Sequence, residues 1–253
     1  RVAALRTLIG LLAGGVDGAA DALVDAAIVQ SYRATGRSGD EDAPHGRTPA
    51  LADVVMHLDA HAETRALAAR LARYTTGSSA WLFRRDAPRI SAEGESVVFS
   101  LAGLPEEERT AAMFLVLDAV WSRIADAARP TLIVVDEAWW LMRSPETARY
   151  LVRIVKTARK RRAGLTLLTQ DTDDVLAHAD GRALVTNAAL QILLRAAPQS
   201  LPALSELFRL THAEQQFLLT AGRGDALLVA GAHRVPLHVV ASDAERALIE
   251  RRS

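Results

Sequence analysis

The sequence predicts an α/β protein whose mostly parallel sheet is flanked by helices, with an N-terminal helical lobe and a C-terminal β-hairpin. The main observation is that apolar strands alternate with helices between residues 131 and 193, a pattern typical of parallel sheets. A second observation is that apolar residues recur at three- and four-residue spacing over residues 1–80. A third observation is that two β-like runs flank Gly231 in GDALLVAGAHRVPLHVVAS.

The first third of the chain carries only helical signals. The helical period is interrupted by a loop at residues 36–49, where glycine, proline and acidic residues cluster without any period. We therefore expect a helical lobe over residues 1–90 and an α/β core over residues 91–253.

The predicted core begins with a short strand at residues 97–101, followed by the long helix EEERTAAMFLVLDAVWSRIADAA. The run TLIVV (131–135) has no polar alternation, so we expect a central parallel strand that is covered on both faces. The next helix, SPETARYLVRIVKTARKRR, has Ser144 as its N-cap and Pro145 in its first turn. GLTLLTQD and LQILLRA are the strands that follow, before further helices, the hairpin and a terminal helix.

The composition excludes several kinds of function. The chain has 30 basic and 30 acidic residues, so it lacks the charge excess of a general nucleic-acid-binding protein. It has no cysteine, which excludes disulfides, thiolate metal sites and cysteine nucleophiles. No apolar run reaches the roughly 20 residues that a membrane-spanning helix needs.

Two adjacent carboxylates, Asp136 and Glu137, directly follow the apolar strand. In open parallel sheets the chemistry takes place at the carboxyl ends of the strands. One carboxylate there can hold Mg²⁺ through water, while its neighbour orients or deprotonates an attacking water. Strand-end acids are also commonly just solvated. Gln170, at the end of the next strand, favours the catalytic interpretation because a glutamine there can contact the γ-phosphate and the attacking water.

A basic run, KTARKRR, ends the helix between these two strands, and five of its seven residues are basic. Cations at a helix C-terminus complement the helix dipole, and solvation explains most such runs. In a ring of subunits, the same position can project an arginine finger into a neighbour's site, and Arg159 is our candidate. Trp139 and Trp140, which follow the acids, are expected to pack under the next helix.

The phosphate-binding loop of such a site is missing from the sequence. A P-loop needs Gly-x-x-x-x-Gly-Lys-Ser/Thr, and no such motif occurs. The only lysines are Lys156 and Lys160, and neither follows a glycine. We therefore expect the loop to lie upstream of Arg1, and we expect this stretch of chain to be inactive by itself.

The segment from VVDEAWWLM to LQILLR resembles the conjugative-transfer and type IV secretion ATPases of the TraC/TrbE type, in the FtsK/HerA superfamily of RecA-like P-loop motors. The matching features are DEAW in the Walker B pattern after the apolar strand, the helix ending in Ala-Arg-Lys, and TQD after the next strand. GRALVTNA (181–188) and GRGDALLVAG (222–231) also match. The resemblance covers residues 90–253.

This resemblance implies ATP and Mg²⁺ as cofactors. By analogy, Asp136 coordinates Mg²⁺ through water, Glu137 activates the attacking water, and Gln170 senses the γ-phosphate. Arg159 becomes the finger that acts in a neighbouring subunit. Arg223 falls in a family-like segment and is expected to contact the nucleotide.

The resemblance also implies partners and a location. The protein is expected to form a ring of identical subunits, a hexamer by analogy, in the cytoplasm at the inner face of the cell membrane. There it would contact secretion-channel and coupling proteins, and peripherally the inner-membrane complex, and would power pilus assembly or substrate transfer. Two alternatives remain open. One is an FtsK/HerA-like DNA translocase in which KTARKRR contacts phosphates; the other is a degenerate ATPase fold that serves as a scaffold.

Overall fold

The computed structural model describes residues 2–16, 18–36, 49–83, 96–124, 130–170 and 172–250. The chain divides into two compact units, Arg1–Gln170 and Asp171–Ser253, called here the first unit and the second unit. The predicted division into a lobe over residues 1–90 and a core over residues 91–253 stays a prediction. None of the described helices is long and apolar enough to cross a membrane.

The described part of the first unit is mainly helical and contains one pair of strands. Its helices and strands, in chain order, are α1 (Val2–Ala13), α2 (Gly18–Ala34), α3 (Leu51–Asp59), α4 (Arg65–Thr75), α5 (Glu106–Ile124), β1 (Thr131–Val135), α6 (Trp139–Met142), α7 (Pro145–Ala158) and β2 (Ala163–Leu167).

Helices α1 to α4 pack around an apolar core, as the helical periodicity predicts. Ile9, Ile28, Leu58 and Leu71 are completely buried in this core, one from each helix. Within each helix the apolar residues are spaced so that they lie on one face. Burial of these apolar faces stabilises the packing of the four helices. Helix α1 also packs against α7 at Gly10, where an added Cβ would lie 2.8 Å from the Cγ of Glu146.

A buried polar contact fixes α7 against α5. The Tyr150 hydroxyl donates a hydrogen bond to Asp118 Oδ1 at 2.7 Å, and its ring meets Phe114 edge-to-face at 5.0 Å between centroids. Burial, together with the nearby Asp118 carboxylate, raises the pKa of Tyr150, so the hydroxyl keeps its proton. This contact holds in place the helix that leads into β2.

Strands β1 and β2 form the predicted parallel pair, with Thr131 opposite Ala163 and Val135 opposite Leu167. Two expectations about this region are wrong for the described residues. Residues 97–101 form neither a helix nor a strand and pair with no described strand. One face of β1 is open, since Leu132 and Val134 are 67% and 58% exposed. An apolar run identifies a strand, but does not by itself determine how many neighbours it has.

The second unit combines short helices with an antiparallel sheet. Its elements are α8 (Thr172–Leu176), α9 (Ala179–Asn187), β3 (Gln191–Leu193), α10 (Leu201–Phe208), α11 (His212–Thr220), β4 (Asp225–Ala230), β5 (His233–His238) and α12 (Asp243–Glu250).

The C-terminal hairpin prediction is confirmed. Strands β4 and β5 pair antiparallel around Gly231, whose φ of +59° is a conformation that glycine adopts without strain. Strand β3 also pairs with β4 in the antiparallel direction. Among the described residues the parallel sheet is therefore smaller than the alternation of strands and helices predicts. Leu218 and Leu227 are the largest fully buried side chains of this unit's core.

Candidate functional site

The candidate site is located where the parallel pair β1 and β2 ends. The ladder continues one step past the strands, because Leu168 N–H donates to the Val135 carbonyl at 2.9 Å. Ala138 N–H then donates to the Leu168 carbonyl at 2.8 Å. These bonds hold the residues after β1 beside the residues after β2. The carboxyl ends of the two strands therefore present their side chains at one edge.

Glu137 has a backbone conformation that is uncommon for a non-glycine residue. Its φ is +50°, in the left-handed region, and its N–H donates to Asp136 Oδ1 at 3.0 Å. Such a conformation costs of order 1–3 kcal/mol and persists where the surrounding structure enforces it, often at functional sites. The turn separates the two acids, leaving Asp136 exposed while Glu137 is half-buried.

The Glu137 carboxylate accepts a hydrogen bond on each oxygen. Gln170 Nε2 donates to Oε1 at 2.8 Å, and the Trp139 indole Nε1 donates to Oε2 at 2.6 Å. The structure thus brings together Glu137 and Gln170, which the sequence predicts to share a site. The bond to Trp139 is not predicted by the sequence, and its only signal is a tryptophan two positions after the acid.

The Trp139 ring is held by its neighbours. It stacks on Trp140, with 4.3 Å between ring centroids and 27° between planes, and Trp140 is buried. The Arg143 guanidinium lies 5.7 Å from the Trp139 centroid and 5.4 Å from that of Trp140. The expected packing of the tryptophans describes Trp140 well, whereas Trp139 is half-buried and also bonded to Glu137.

The residues at this edge fit a magnesium ion that keeps most of its water. Mg²⁺ is usually held by one or two carboxylates plus waters and phosphate oxygens. Asp136 provides an exposed carboxylate of this kind, and no group of three or more metal-ligating side chains occurs among the described residues. Phosphate groups would need a glycine-rich loop with a lysine, and the sequence contains none.

Arg159 lies at the other end of the strands. It follows α7 in a short 3₁₀ turn, and Thr131 N–H donates to the Arg162 carbonyl at 3.2 Å, at the start of β1 and β2. Strands of five residues separate this turn from Glu137 by about 16 Å, at about 3.3 Å per residue. Arg159 is exposed and is too far away to act on the Glu137 of its own subunit.

Arg223 belongs to the second unit, where it lies in the turn before β4. The turn is fixed by Asp225, whose Oδ2 accepts from Gly222 N–H at 2.8 Å. The other oxygen lies 2.6 Å from His238 Nδ1. The hydrogen bond with His238, followed by that from Gly222, lowers the pKa of the Asp225 carboxyl.

Comparisons with known proteins found a family model and solved structures that match this chain. The family model of the TraG P-loop domain matches residues 112–228, a range that includes both parallel strands and the residues that follow them. Among solved structures, VirB4 of Thermoanaerobacter pseudethanolicus superposes with a TM-score of 0.85 at 26% identity, covering 97% of this chain and 70% of that chain. No curated protein sequence matches significantly.

Fold and family together define the class as a P-loop ATPase domain of RecA-like fold. The chain is the ATPase portion of a conjugation or type IV secretion motor of the TraC/TrbE type, as the DEAW and TQD segments predict. The superposition on VirB4 extends over nearly the whole chain, including its helical first third.

Proposed function

We propose that the full-length protein couples Mg²⁺-dependent ATP hydrolysis to pilus assembly or to the transfer of a secreted substrate. The main support is the contact of 2.8 Å between Gln170 and Glu137 at the carboxyl edge of β1 and β2. A carboxylate and an amide that meet there are suited to handle the attacking water and the terminal phosphate.

Each residue has a distinct role in this proposal. Asp136 binds the magnesium ion through water, because it is the exposed carboxylate of the pair. Glu137 accepts a proton from the attacking water, since its side chain is oriented by two donors. Gln170 exchanges its bond to Glu137 for one to the γ-phosphate when ATP binds. Arg223 is a nucleotide contact, supported only by its family-like segment.

The proposed active form is a ring, for which we take a hexamer. Arg159 supports it, since this exposed cation lies about 16 Å of strand away from its own subunit's Glu137 and can serve only a neighbour. We place this ring in the cytoplasm at the inner face of the cell membrane. Its proposed partners are secretion-channel and coupling proteins and the inner-membrane complex.

A subunit-mixing experiment tests both the hydrolysis and the ring. The full-length protein should hydrolyse ATP in Mg²⁺, and Glu137→Gln and Arg159→Ala should each be inactive when pure. In mixtures, some sites combine an intact Glu137 from one subunit with an intact Arg159 from the next. We therefore expect turnover to recover to about a quarter of wild type at a 1:1 ratio, since half the subunits carry each intact residue.

Lys160→Ala is the matched control, because it removes an exposed cation from the same turn and should leave turnover unchanged. Two inactive variants that fail to complement each other would contradict a trans-acting Arg159. A full-length wild-type protein without any turnover would instead support the scaffold alternative.

DNA translocation is a second candidate function, favoured by one specific observation. Arg149, Arg153, Lys156 and Lys160 are all exposed, and their spacing of four, three and four residues places them on one face of the α7 region. Arg149 contacts the Glu146 carboxylate at 3.5 Å, at the start of the helix. Such a basic face can follow the phosphates of a nucleic acid.

Salt dependence separates this candidate from the first. If the protein moves DNA, its affinity for duplex DNA should fall steeply between 50 and 200 mM salt. Replacing Arg153 and Lys156 by alanine should reduce the slope of log affinity against log salt by about 2, one unit per lost phosphate contact. An unchanged slope would exclude this face as the DNA-binding surface.

A further inference from the structure

We propose that Trp139 is a positioning residue for the catalytic carboxylate: its indole N–H holds Glu137 in the orientation from which the carboxylate takes a proton from water. The inference rests on the proposed function of Glu137. It gives Trp139 a role that packing alone does not provide.

The first argument is the strength and direction of the contact. The indole nitrogen lies 2.6 Å from Glu137 Oε2, and a hydrogen bond to an ionised group is roughly twice as strong as one between neutral groups. An indole has a single donor and no acceptor, so the bond can form in one sense only. Trp139 therefore constrains the position of the carboxylate but cannot itself accept the proton that the carboxylate takes from water.

The second argument is rigidity. The Trp139 ring is stacked on the buried Trp140 and covered by Arg143, so its N–H points in a fixed direction. Gln170, the other donor to Glu137, is an exposed amide on a flexible side chain. The tryptophan is thus the permanent contact, and the glutamine is the one that can move to the γ-phosphate.

The third argument concerns the remaining capacity of the carboxylate. Each carboxylate oxygen can accept about two hydrogen bonds, and one is used on each oxygen here. An acceptor position therefore remains on both oxygens for a water molecule. The left-handed backbone at Glu137 brings its side chain within reach of Trp139. The strained turn therefore contributes to positioning the carboxylate.

The test compares two substitutions of Trp139 in the full-length protein. Trp139→Phe keeps an aromatic ring but removes the N–H. Trp139→His has a smaller five-membered ring whose Nε2 is two bonds from Cγ, like the indole Nε1, so the donor returns to nearly the same place. We expect kcat to fall about tenfold in the phenylalanine variant, equal to 1.4 kcal/mol, and to be restored to within about threefold by histidine at pH 8.

The affinity for a fluorescent ATP analogue and the melting temperature should stay near wild type in both variants, and Trp81→Phe serves as a control for the same change at an exposed site. If packing were the role of Trp139, phenylalanine would be tolerated better than histidine. That order, or an unchanged kcat in Trp139→Phe, would overturn the inference while leaving the proposed function intact. Full turnover in Glu137→Gln would overturn both.

A second measurement does not depend on how these variants fold. The 253 residues of this chain contain four tryptophans, and each gives one indole N–H signal after ¹⁵N-tryptophan labelling. The Trp139 signal should lie downfield, because its proton is bonded to a carboxylate, and Glu137→Ala should shift this signal upfield and leave that of Trp121 unmoved. If no indole signal moves, the bond is absent in solution and the inference fails.

Discussion

Replacing Glu137 by glutamine should reduce ATP turnover by the full-length protein about 100-fold or more, the usual contribution of a general base. Glutamine has nearly the same shape as glutamate and can still accept the hydrogen bond from Trp139. It cannot take a proton from water, so the effect should fall on the chemical step. Steady-state hydrolysis and equilibrium binding of a fluorescent ATP analogue measure the two quantities separately.

Nucleotide affinity should change by less than about threefold, because binding relies on the phosphate loop and Mg²⁺ more than on this carboxylate. Glu206→Gln is the matched control, since Glu206 is an exposed carboxylate on α10 in the second unit, and it should leave turnover unaffected. Equal turnover in Glu137→Gln and wild type would remove Glu137 from the mechanism and require another base.

Replacing Gly181 by alanine should lower the free energy of unfolding of the second unit by about 3 kcal/mol. An added Cβ would lie 1.8 Å from the carbonyl oxygen of Val175 and 2.8 Å from its carbonyl carbon. These are backbone atoms at the end of α8, so α8 or α9 must move as a whole to relieve the overlap. Urea unfolding followed by circular dichroism measures the loss.

Gly18→Ala is the control for this change. Gly18 begins α2, and an added Cβ there meets no atom within 4 Å. Alanine is the better helix former, so this variant should be as stable as wild type or up to about 1 kcal/mol more stable. If Gly181→Ala unfolds at the wild-type urea concentration, α8 and α9 do not approach each other as closely as the structure has them.

The sequence is sufficient to predict most of the secondary structure, because the signals involved are local. The helical periods of the first third correspond to α1 to α4, and TLIVV, GLTL and the two runs around Gly231 are strands. The edge position of Glu137 and Gln170 also follows from the sequence, since parallel strands place their carboxyl ends together.

The features that the sequence does not predict depend on which other segments of the chain a given segment contacts. Residues 97–101 have the composition of a strand but no pairing strand among the described residues, and the open face of β1 depends on which segments pack against it. The bond from Trp139 to Glu137 requires a turn with positive φ, and no residue type at position 137 indicates one. Glycine or asparagine is the usual signal for such a turn, and glutamate is not.

The positive φ of Glu137 has a consequence for the evolution of this protein. A glutamate in that conformation carries a cost of order 1–3 kcal/mol that glycine would largely avoid. Selection for thermal stability alone should therefore favour replacing the glutamate at position 137 by glycine. Keeping glutamate at position 137 therefore requires a compensating role, and the proton transfer proposed for its carboxylate is such a role.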